Sequence, residues 1–270
     1  MAATVQSTPR QRSRTTIGLL LLAGLILLRF PVLAGLGTAL GSVPPWLDAL
    51  FSTGTYLLNA LLIFWERDRL EQFHIDGWTL GIYGLAPLLA FLADRNVAVY
   101  WVPLAFAAVL AVAFLLTRTR LPAARGAALK WLGAALLVGI ALAVCNGLLI
   151  RWQTGRPFQF VFVPERLAML VPAFLVQVTR AASFEEPLFR GFLWGYLRQA
   201  GWRDGWIWLL QAGLFMVGHI YYLGRYNISF FLIVPVGGLV IGWVAWRSRS
   251  IGASGIVHAL GNSLGPLIGY

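Results

Sequence analysis

Long apolar runs recur along the whole chain, and short segments that carry most of the charges separate them. An α-helix needs about 20 apolar residues to cross roughly 30 Å of hydrocarbon, and the runs are near that length. Strands of a membrane β-barrel would alternate apolar and polar residues over segments of about ten residues, and the sequence has no such alternation. The runs therefore predict an all-α, polytopic transmembrane helix bundle.

The composition favours a membrane fold over a soluble one. Hydrophobic residues make up 59% of the 270 residues and charged residues 11%, whereas soluble domains have about 45–50% apolar and about 25% charged residues. The formal net charge of +11 would suggest a nucleic-acid partner for a soluble protein. Here the Arg residues lie between apolar runs and form no basic stripe, so we expect a lipid bilayer as partner and no nucleic acid.

Nine runs are candidate spans, and eight spans is an alternative because the third run is short and the first contains Arg29 and Pro31. Asp204 and Ser229 are expected to cap the helices that follow them. The candidate spans are 16–40, 46–65, 78–93, 97–116, 130–150, 168–198, 206–223, 230–246 and 251–268.

The distribution of basic residues predicts the orientation of the chain. With the N-terminus in the cytoplasm and alternating spans, 15 of the 21 Lys and Arg residues fall on the cytoplasmic side and five on the other, with Arg29 unassigned. Arg180 and Arg190 are expected within the membrane, and leaving them out still gives 13 against five. We therefore expect a cytoplasmic N-terminus.

Ionisable residues inside membrane segments are informative because each is costly to bury in hydrocarbon. In the first half, His74 and Asp76 fall in a hydrophilic segment that is expected to be solvated, and Cys145 is expected to be a small buried side chain. In the second half, six polar residues lie inside otherwise apolar helices: Glu185, Glu186, Arg190, His219, His258 and Asn262.

The spacing of these residues predicts a common depth in the membrane. Glu185 and His219 each lie 17 residues from Trp202, so an antiparallel hairpin that turns there brings them to the same level. In the last hairpin, which turns near Ser248, His258 and Asn262 reach that level within one to two helical turns. These two residues are four apart and share a helix face.

Structural roles are the alternative for individual members of this group. Glu186 and Arg190 are four residues apart and could form only a structural ion pair, and a transmembrane His or Asn can link two helices by hydrogen bonding. The group contains two glutamates, two histidines and an asparagine at one depth. Their combined free-energy cost of burial is large, and structural roles alone do not account for it, so we favour a functional cluster.

The residue types suit hydrolysis by an activated water. A carboxylate beside an imidazole can deprotonate water, and a second His and an Asn can stabilise the oxyanion that forms when water adds to a carbonyl. Residues 261–265 match the pattern Gly-x-Ser-x-Gly, but they lie at the end of an apolar helical run and not at a strand-to-helix turn. Cys145 lies outside the cluster, so a nucleophilic hydrolase is disfavoured. The same ligands could bind zinc, but the His-Glu-x-x-His signature is absent, and we expect no metal and no other cofactor.

Three short motifs follow one another within these helices. Residues 185–190 (Glu-Glu-Pro-Leu-Phe-Arg), 215–219 (Phe-Met-Val-Gly-His) and 258–262 (His-Ala-Leu-Gly-Asn) match the patterns Glu-Glu-x-x-x-Arg, Phe-x-x-x-His and His-x-x-x-Asn. Together they resemble the motifs of the CPBP family, the CAAX-protease and bacteriocin-processing intramembrane glutamic endopeptidases. The resemblance covers roughly residues 180–262, so we divide the chain into N-terminal helices of unassigned role (1–165) and a catalytic core (166–270).

The resemblance implies a metal-independent intramembrane endopeptidase, a multi-pass protein of the cell membrane, expected to be the bacterial inner membrane. Its substrate would be a membrane-anchored protein or peptide, such as a CAAX-like protein, a bacteriocin or a C-terminal sorting signal. The resemblance implies that Glu185 is the base that acts with His219 on water. Glu186 and Arg190 would support the site, and the His and Asn of the third motif would bind the oxyanion.

Three other functions fit parts of the sequence. A zinc-dependent intramembrane protease would use the same ligands. A non-catalytic immunity or scaffold protein would keep the fold, but the complete set of catalytic residue types argues against it. A proton-coupled transporter would use Glu and His as a relay, but transporters usually carry inverted repeats, whereas the membrane-buried acids here all fall in the second half.

Overall fold

The computed structural model describes residues 9–39, 45–94, 104–105, 108, 126–155, 159–224 and 226–268. Within these ranges every regular element is helical and there is no strand. The all-α prediction is therefore confirmed. The principal helices are α1 (Pro9–Ala39), α2 (Pro45–Trp65), α3 (Gly77–Asp94), α4 (Gly126–Thr154), α5 (Pro164–Gln199), α6 (Asp204–Val217), α7 (Ser229–Ser248) and α8 (Ile251–Ser263).

Three of the described helices are long and apolar enough to cross a membrane: Lys130–Thr154 of α4, all of α5, and all of α7. Three shorter apolar helices accompany them, at Thr53–Trp65, Gly77–Leu89 and Asp204–Val217. By length and composition, the three long helices are those of a membrane protein.

Eight of the nine predicted spans overlap one of the helices α1 to α8. The predicted span 97–116 lies outside the described residues except at 104, 105 and 108, as does the side chain of Arg29. Arg118 and Arg120, which contribute to the orientation prediction, also lie outside the described residues. The number of spans and the cytoplasmic N-terminus therefore stay predictions.

Helix α5 runs through the middle of the bundle. Residues 182–197 are all buried, whichever face of the helix they occupy, so α5 has neighbours on every side. These neighbours are α1, α2 and α3 from the first half of the chain and α6, α7 and α8 from the second. Polar side chains on this part of α5 are consequently shielded from the surroundings of the protein.

A glycine lets α8 lie directly against α3. A Cβ atom on Gly252 would lie 3.0 Å from Cα of Thr79, closer than carbon atoms normally approach, and the backbone N–H of Gly252 donates to Thr79 Oγ1 over 2.9 Å. Small residues at helix contacts are typical of membrane bundles. This contact sets the position of the helix that carries the third motif.

Both predicted helix caps are wrong. The N-cap residue of α6 is Arg203, and Asp204 is the first helical residue, whose carboxylate accepts hydrogen bonds from Trp194 Nε1 and Arg198 Nε. Ser229 continues a helix that already includes residues 227–228. At that start the side chain of Asn227 accepts from the backbone N–H of Gly224.

In the hydrophilic segment after α2, His74 and Asp76 are buried and not solvated as the composition predicts. His74 is 1% exposed and Asp76 7% exposed. Asp76 accepts hydrogen bonds from the backbone N–H and the hydroxyl of Thr79 and so caps α3. Burial and the Arg198 guanidinium, 3.3 Å from its Nε2, lower the pKa of His74 to about 3. The Asp76 carboxylate and Nε2 of His74 thus have polar partners inside the protein.

Cys145 also departs from its prediction, because it is exposed on α4. Within a long apolar helix, hydropathy does not distinguish the face that meets other helices from the face that meets lipid. Exposed Leu137 and Trp152 on the same helix are typical of a lipid-facing surface.

Candidate active site

Glu185 and Glu186 end a four-residue α-helical stretch, Ser183–Glu186, in the buried part of α5. Wider π-helical turns precede it at Val178–Ala182 and follow it at Pro187–Leu193. Consecutive residues of a helix point about 100° apart. The two carboxylates therefore leave the helix in different directions, and their surroundings differ.

The carboxylate of Glu186 is bonded on both oxygens. Oε1 accepts from Arg190 Nη1 at 3.2 Å and from His258 Nδ1 at 3.0 Å, and Oε2 accepts from Ser254 Oγ at 2.6 Å. Its side chain has no exposed area. Glu186 is therefore held in one orientation by groups from α5 and α8.

Arg190 is fully buried as well and links three helices. Besides Glu186, its guanidinium donates from Nη2 to the backbone carbonyl of Gly238 on α7, at 3.4 Å. It also lies over the ring of Phe215 on α6, 4.3 Å from the ring centre, which adds a cation–π contact. The ion pair predicted from the four-residue spacing is present.

His258 lies between the two glutamates. Its Nδ1 donates to Glu186, because an ionised carboxylate only accepts hydrogen bonds. Its Nε2 faces Glu185 Oε2 at 3.7 Å, an electrostatic contact that is longer than a hydrogen bond. Glu186 therefore sets the orientation of the imidazole, and the imidazole presents its other nitrogen to Glu185.

Glu185 differs from Glu186 in its access to the surroundings. Glu185 retains 7% of its accessible surface, whereas Glu186 retains none. Of the two neighbouring carboxylates, Glu185 is thus the one that an incoming molecule can reach.

His219 is half-buried and lies after the end of α6 at Val217, so the prediction that it lies inside a helix spanning 206–223 is wrong. Its Nδ1 donates to the backbone carbonyl of Phe215 at 2.8 Å, so the lone pair of the neutral ring lies on Nε2. The Phe215 ring is 4.6 Å from the imidazole of His219 and 5.8 Å from that of His258. Both histidines therefore lie against one aromatic ring.

Asn262 lies one helical turn beyond His258 and is exposed. Its Nδ2 donates to Gln177 Oε1 on α5, at 3.4 Å. The structure thus brings Glu185, Glu186 and His258 into one buried cluster with Arg190 and places Asn262 at the exposed margin of α8. The convergence of Asn262 with Glu185 and His219 in one polar cavity stays a prediction.

The hairpin spacing that the sequence predicts agrees with ring contacts in the structure. Phe189 and Phe215 each lie 13 residues from Trp202, and their rings meet edge-to-face with centres 5.6 Å apart. Helices α5 and α6 are therefore paired in the register that the prediction for Glu185 and His219 assumes.

Three polar residues of this region were missed by reasoning from the sequence. Ser254 lies four residues before His258 and therefore on the same face of α8, a spacing that the sequence already contains. Tyr56 and Asn59 of α2 bond to the backbone of α5. Both are uncharged at neutral pH, so only their polar character distinguishes them within an apolar span.

The positions of the side chains bear on metal binding. In the described part of the chain, no three His, Cys, Asp or Glu residues form a group that could hold a metal ion. The expectation of a metal-independent site stays a prediction, because it depends on a measurement of metal content.

Comparison with known families assigns the second half of the chain. Residues 167–264 match the family described as type II CAAX prenyl endopeptidase, Rce1-like. No curated protein and no solved structure matches the chain. The matched range contains all six residues of the predicted site, in the helices α5, α6 and α8 and the turn after α6. Residues 167–264 are therefore similar to the Rce1-like CAAX protease family, consistent with the CPBP family that the motifs resemble, and this similarity supports the function of an intramembrane protease.

Proposed function

We propose that this protein is a glutamic-type intramembrane endopeptidase that hydrolyses a peptide bond of a membrane-anchored protein or peptide. The observation that carries the proposal is the unequal environment of the two glutamates. Glu186 is bonded on both oxygens and has no exposed area, whereas Glu185 is partly accessible and faces an imidazole nitrogen. This asymmetry is what a site needs to give two neighbouring carboxylates a supporting and a reacting role.

In the proposed reaction, Glu185 and His219 bind a water molecule, and Glu185 takes a proton from it as the oxygen attacks the scissile carbonyl. The electron pair of the carbonyl double bond moves to its oxygen, which becomes an oxyanion. His258, when it carries hydrogen on Nε2, and Asn262 donate hydrogen bonds to that oxyanion. Collapse of the intermediate breaks the C–N bond, and Glu185 returns its proton to the leaving amine.

We also propose that this protein is a multi-pass protein of the cell membrane, with eight or nine spans and its N-terminus in the cytoplasm. Residues 166–270 form its catalytic core, and residues 1–165 contribute the N-terminal helices. The proposed substrate is a CAAX-like protein, a bacteriocin or a protein with a C-terminal sorting signal.

The proposal is tested by comparing the peptides and small proteins of membranes from cells that express the wild type or Glu185→Gln. We expect substrates to accumulate uncleaved, and their products to disappear, in the variant. Mass spectrometry of both membranes also identifies the cleaved bond. Identical membrane peptide profiles for the two proteins, at equal expression, would contradict a peptidase function that depends on Glu185.

Metal removal should leave activity unchanged. Water activation is assigned to a carboxylate and an imidazole, so treatment with a chelator should not reduce cleavage of the identified substrate. Metal analysis of the purified protein checks the same point. A one-to-one zinc content, with activity that returns only when zinc is restored, would support a zinc-dependent protease instead.

Substitutions of His219 and Asn262 should differ in their effects on turnover. His219→Ala should abolish cleavage, because the water loses its second partner. Asn262→Ala removes one oxyanion donor, a loss of roughly 10²–10³ in rate, so residual cleavage should remain measurable. Rates of both purified variants on one synthetic substrate test this order, and the reverse order would contradict the assigned roles.

A further inference from the structure

Helix α2 presents two buried polar side chains to the helix that carries the glutamates. Tyr56 is 5% exposed and Asn59 is fully buried, and their three-residue spacing places them on one face of α2. Both lie outside residues 167–264, the range that matches the peptidase family. Their contacts therefore connect the N-terminal half of the chain to the candidate active site.

Tyr56 bonds to the backbone of α5 at its first π-helical stretch. Its hydroxyl donates to the carbonyl of Thr179, which also accepts from Ser183 Oγ at 2.5 Å, and the two hydroxyls are 3.5 Å apart. The ring of Tyr56 packs edge-to-face on Phe184, with centres 5.6 Å apart. The hydroxyl also lies within electrostatic range of Glu185.

Asn59 bonds to α5 directly before the first glutamate. Its Nδ2 donates to the carbonyl of Phe184 at 3.0 Å. The amide oxygen of Asn59 is buried and has no hydrogen-bond partner among the described residues. An apolar side chain at this position would leave no buried oxygen without a partner. The hydrogen bond to Phe184 is therefore the reason we give for an amide here.

The location of these contacts determines what they can do. In π-helical turns the regular i to i−4 hydrogen-bond pattern of the backbone is interrupted, so bonds from outside the helix fix carbonyl groups there. The carbonyls of Thr179 and Phe184 lie between the start of the first π-helical stretch and Glu185. Holding both fixes the rotation of this part of α5 about its axis, and with it the direction of the Glu185 side chain.

We propose that Tyr56 and Asn59 are positioning residues, through which α2 sets the direction of Glu185 and completes an active site that the family domain alone does not contain. This inference rests on the proposed role of Glu185 as the base. It assigns a function to part of the N-terminal half, whose helices carry none of the three motifs.

The test compares purified Tyr56→Phe and Asn59→Ala with a matched control, Tyr196→Phe. Tyr196 is buried on the same central helix and donates its hydroxyl to Glu66 Oε1 at 2.9 Å, so the control also loses one buried hydroxyl bond. It lies 11 residues beyond Glu185, about 16 Å along the helix. The substrate is a synthetic peptide that contains the bond identified in membranes.

We expect kcat to fall roughly tenfold to a hundredfold in Tyr56→Phe and Asn59→Ala, with KM unchanged because both side chains are buried and bond to the backbone of α5. Tyr196→Phe should keep its kcat while losing as much thermal stability as Tyr56→Phe. Equal kcat values for Tyr56→Phe and Tyr196→Phe would overturn the inference, as would a wild-type kcat for Asn59→Ala. Glu185→Gln, assayed in parallel, separates the two proposals, because full activity in that variant overturns the proposed function itself.

Discussion

Replacing Glu185 by Gln should reduce peptide cleavage to background while the protein keeps its melting temperature. Glutamine has nearly the same shape and retains hydrogen-bonding capacity, but it cannot take a proton from water. The amide is neutral, so its burial in α5 costs no more than that of the carboxylate it replaces. The His258 ring stays in place, because Glu186 holds its other nitrogen.

The control for this variant is Glu165→Gln. Glu165 lies in the first turn of α5 and is exposed, so the same substitution on the same helix removes one negative charge far from the cluster. Its turnover and melting temperature should match those of the wild type. If both Gln variants lose activity equally, the loss reflects the change in charge and not the removal of a base.

Arg190→Ala should lower both stability and turnover. Removing the guanidinium leaves the carboxylate of Glu186 buried with no compensating positive charge from α5, and breaking a buried ion pair in this way costs about 3–5 kcal/mol. It also removes the contacts with the Gly238 carbonyl and the Phe215 ring that join α5 to α7 and α6. Thermal unfolding in detergent, followed on the same samples as cleavage, measures both effects.

Two further variants show whether the loss comes from the stranded charge. Arg247→Ala removes an exposed Arg from the last turn of α7 and should change the melting temperature little. The double variant Glu186→Met with Arg190→Met removes both charges and should recover much of the stability lost by Arg190→Ala. It should remain inactive, because His258 no longer has its partner. A wild-type melting temperature for Arg190→Ala contradicts a stabilising role for the ion pair.

The sequence predicts the Glu186–Arg190 pair and the pairing of α5 with α6, because both follow from helix geometry. Glu186 and Arg190 form their ion pair since residues four apart share a helix face. The α5–α6 register follows from counting residues on both sides of a short turn, and the contact between Phe189 and Phe215 agrees with that count. Both inferences need only the helical rise and the turn position.

Contacts between helices distant in the sequence could not be predicted in this way. Hydropathy assigns Tyr56 and Asn59 to an apolar span, but it does not say which helix lies against them. The same limit applies to Cys145, because hydropathy does not say which face of α4 lies against other helices. His74 is buried beside Arg198, which is 124 residues away in the sequence, and no local pattern reveals that contact.

The most direct test of the reacting role of Glu185 measures turnover and melting temperature of the wild type, Glu185→Gln and Arg190→Ala on matched preparations in one detergent. We expect Glu185→Gln to lose cleavage and keep its melting temperature, and Arg190→Ala to lose both. That separation would assign the chemistry to Glu185 and the support of the site to the Glu186–Arg190 pair. Near-normal cleavage by Glu185→Gln would show that Glu185 is not the base and would contradict the proposed mechanism at its centre.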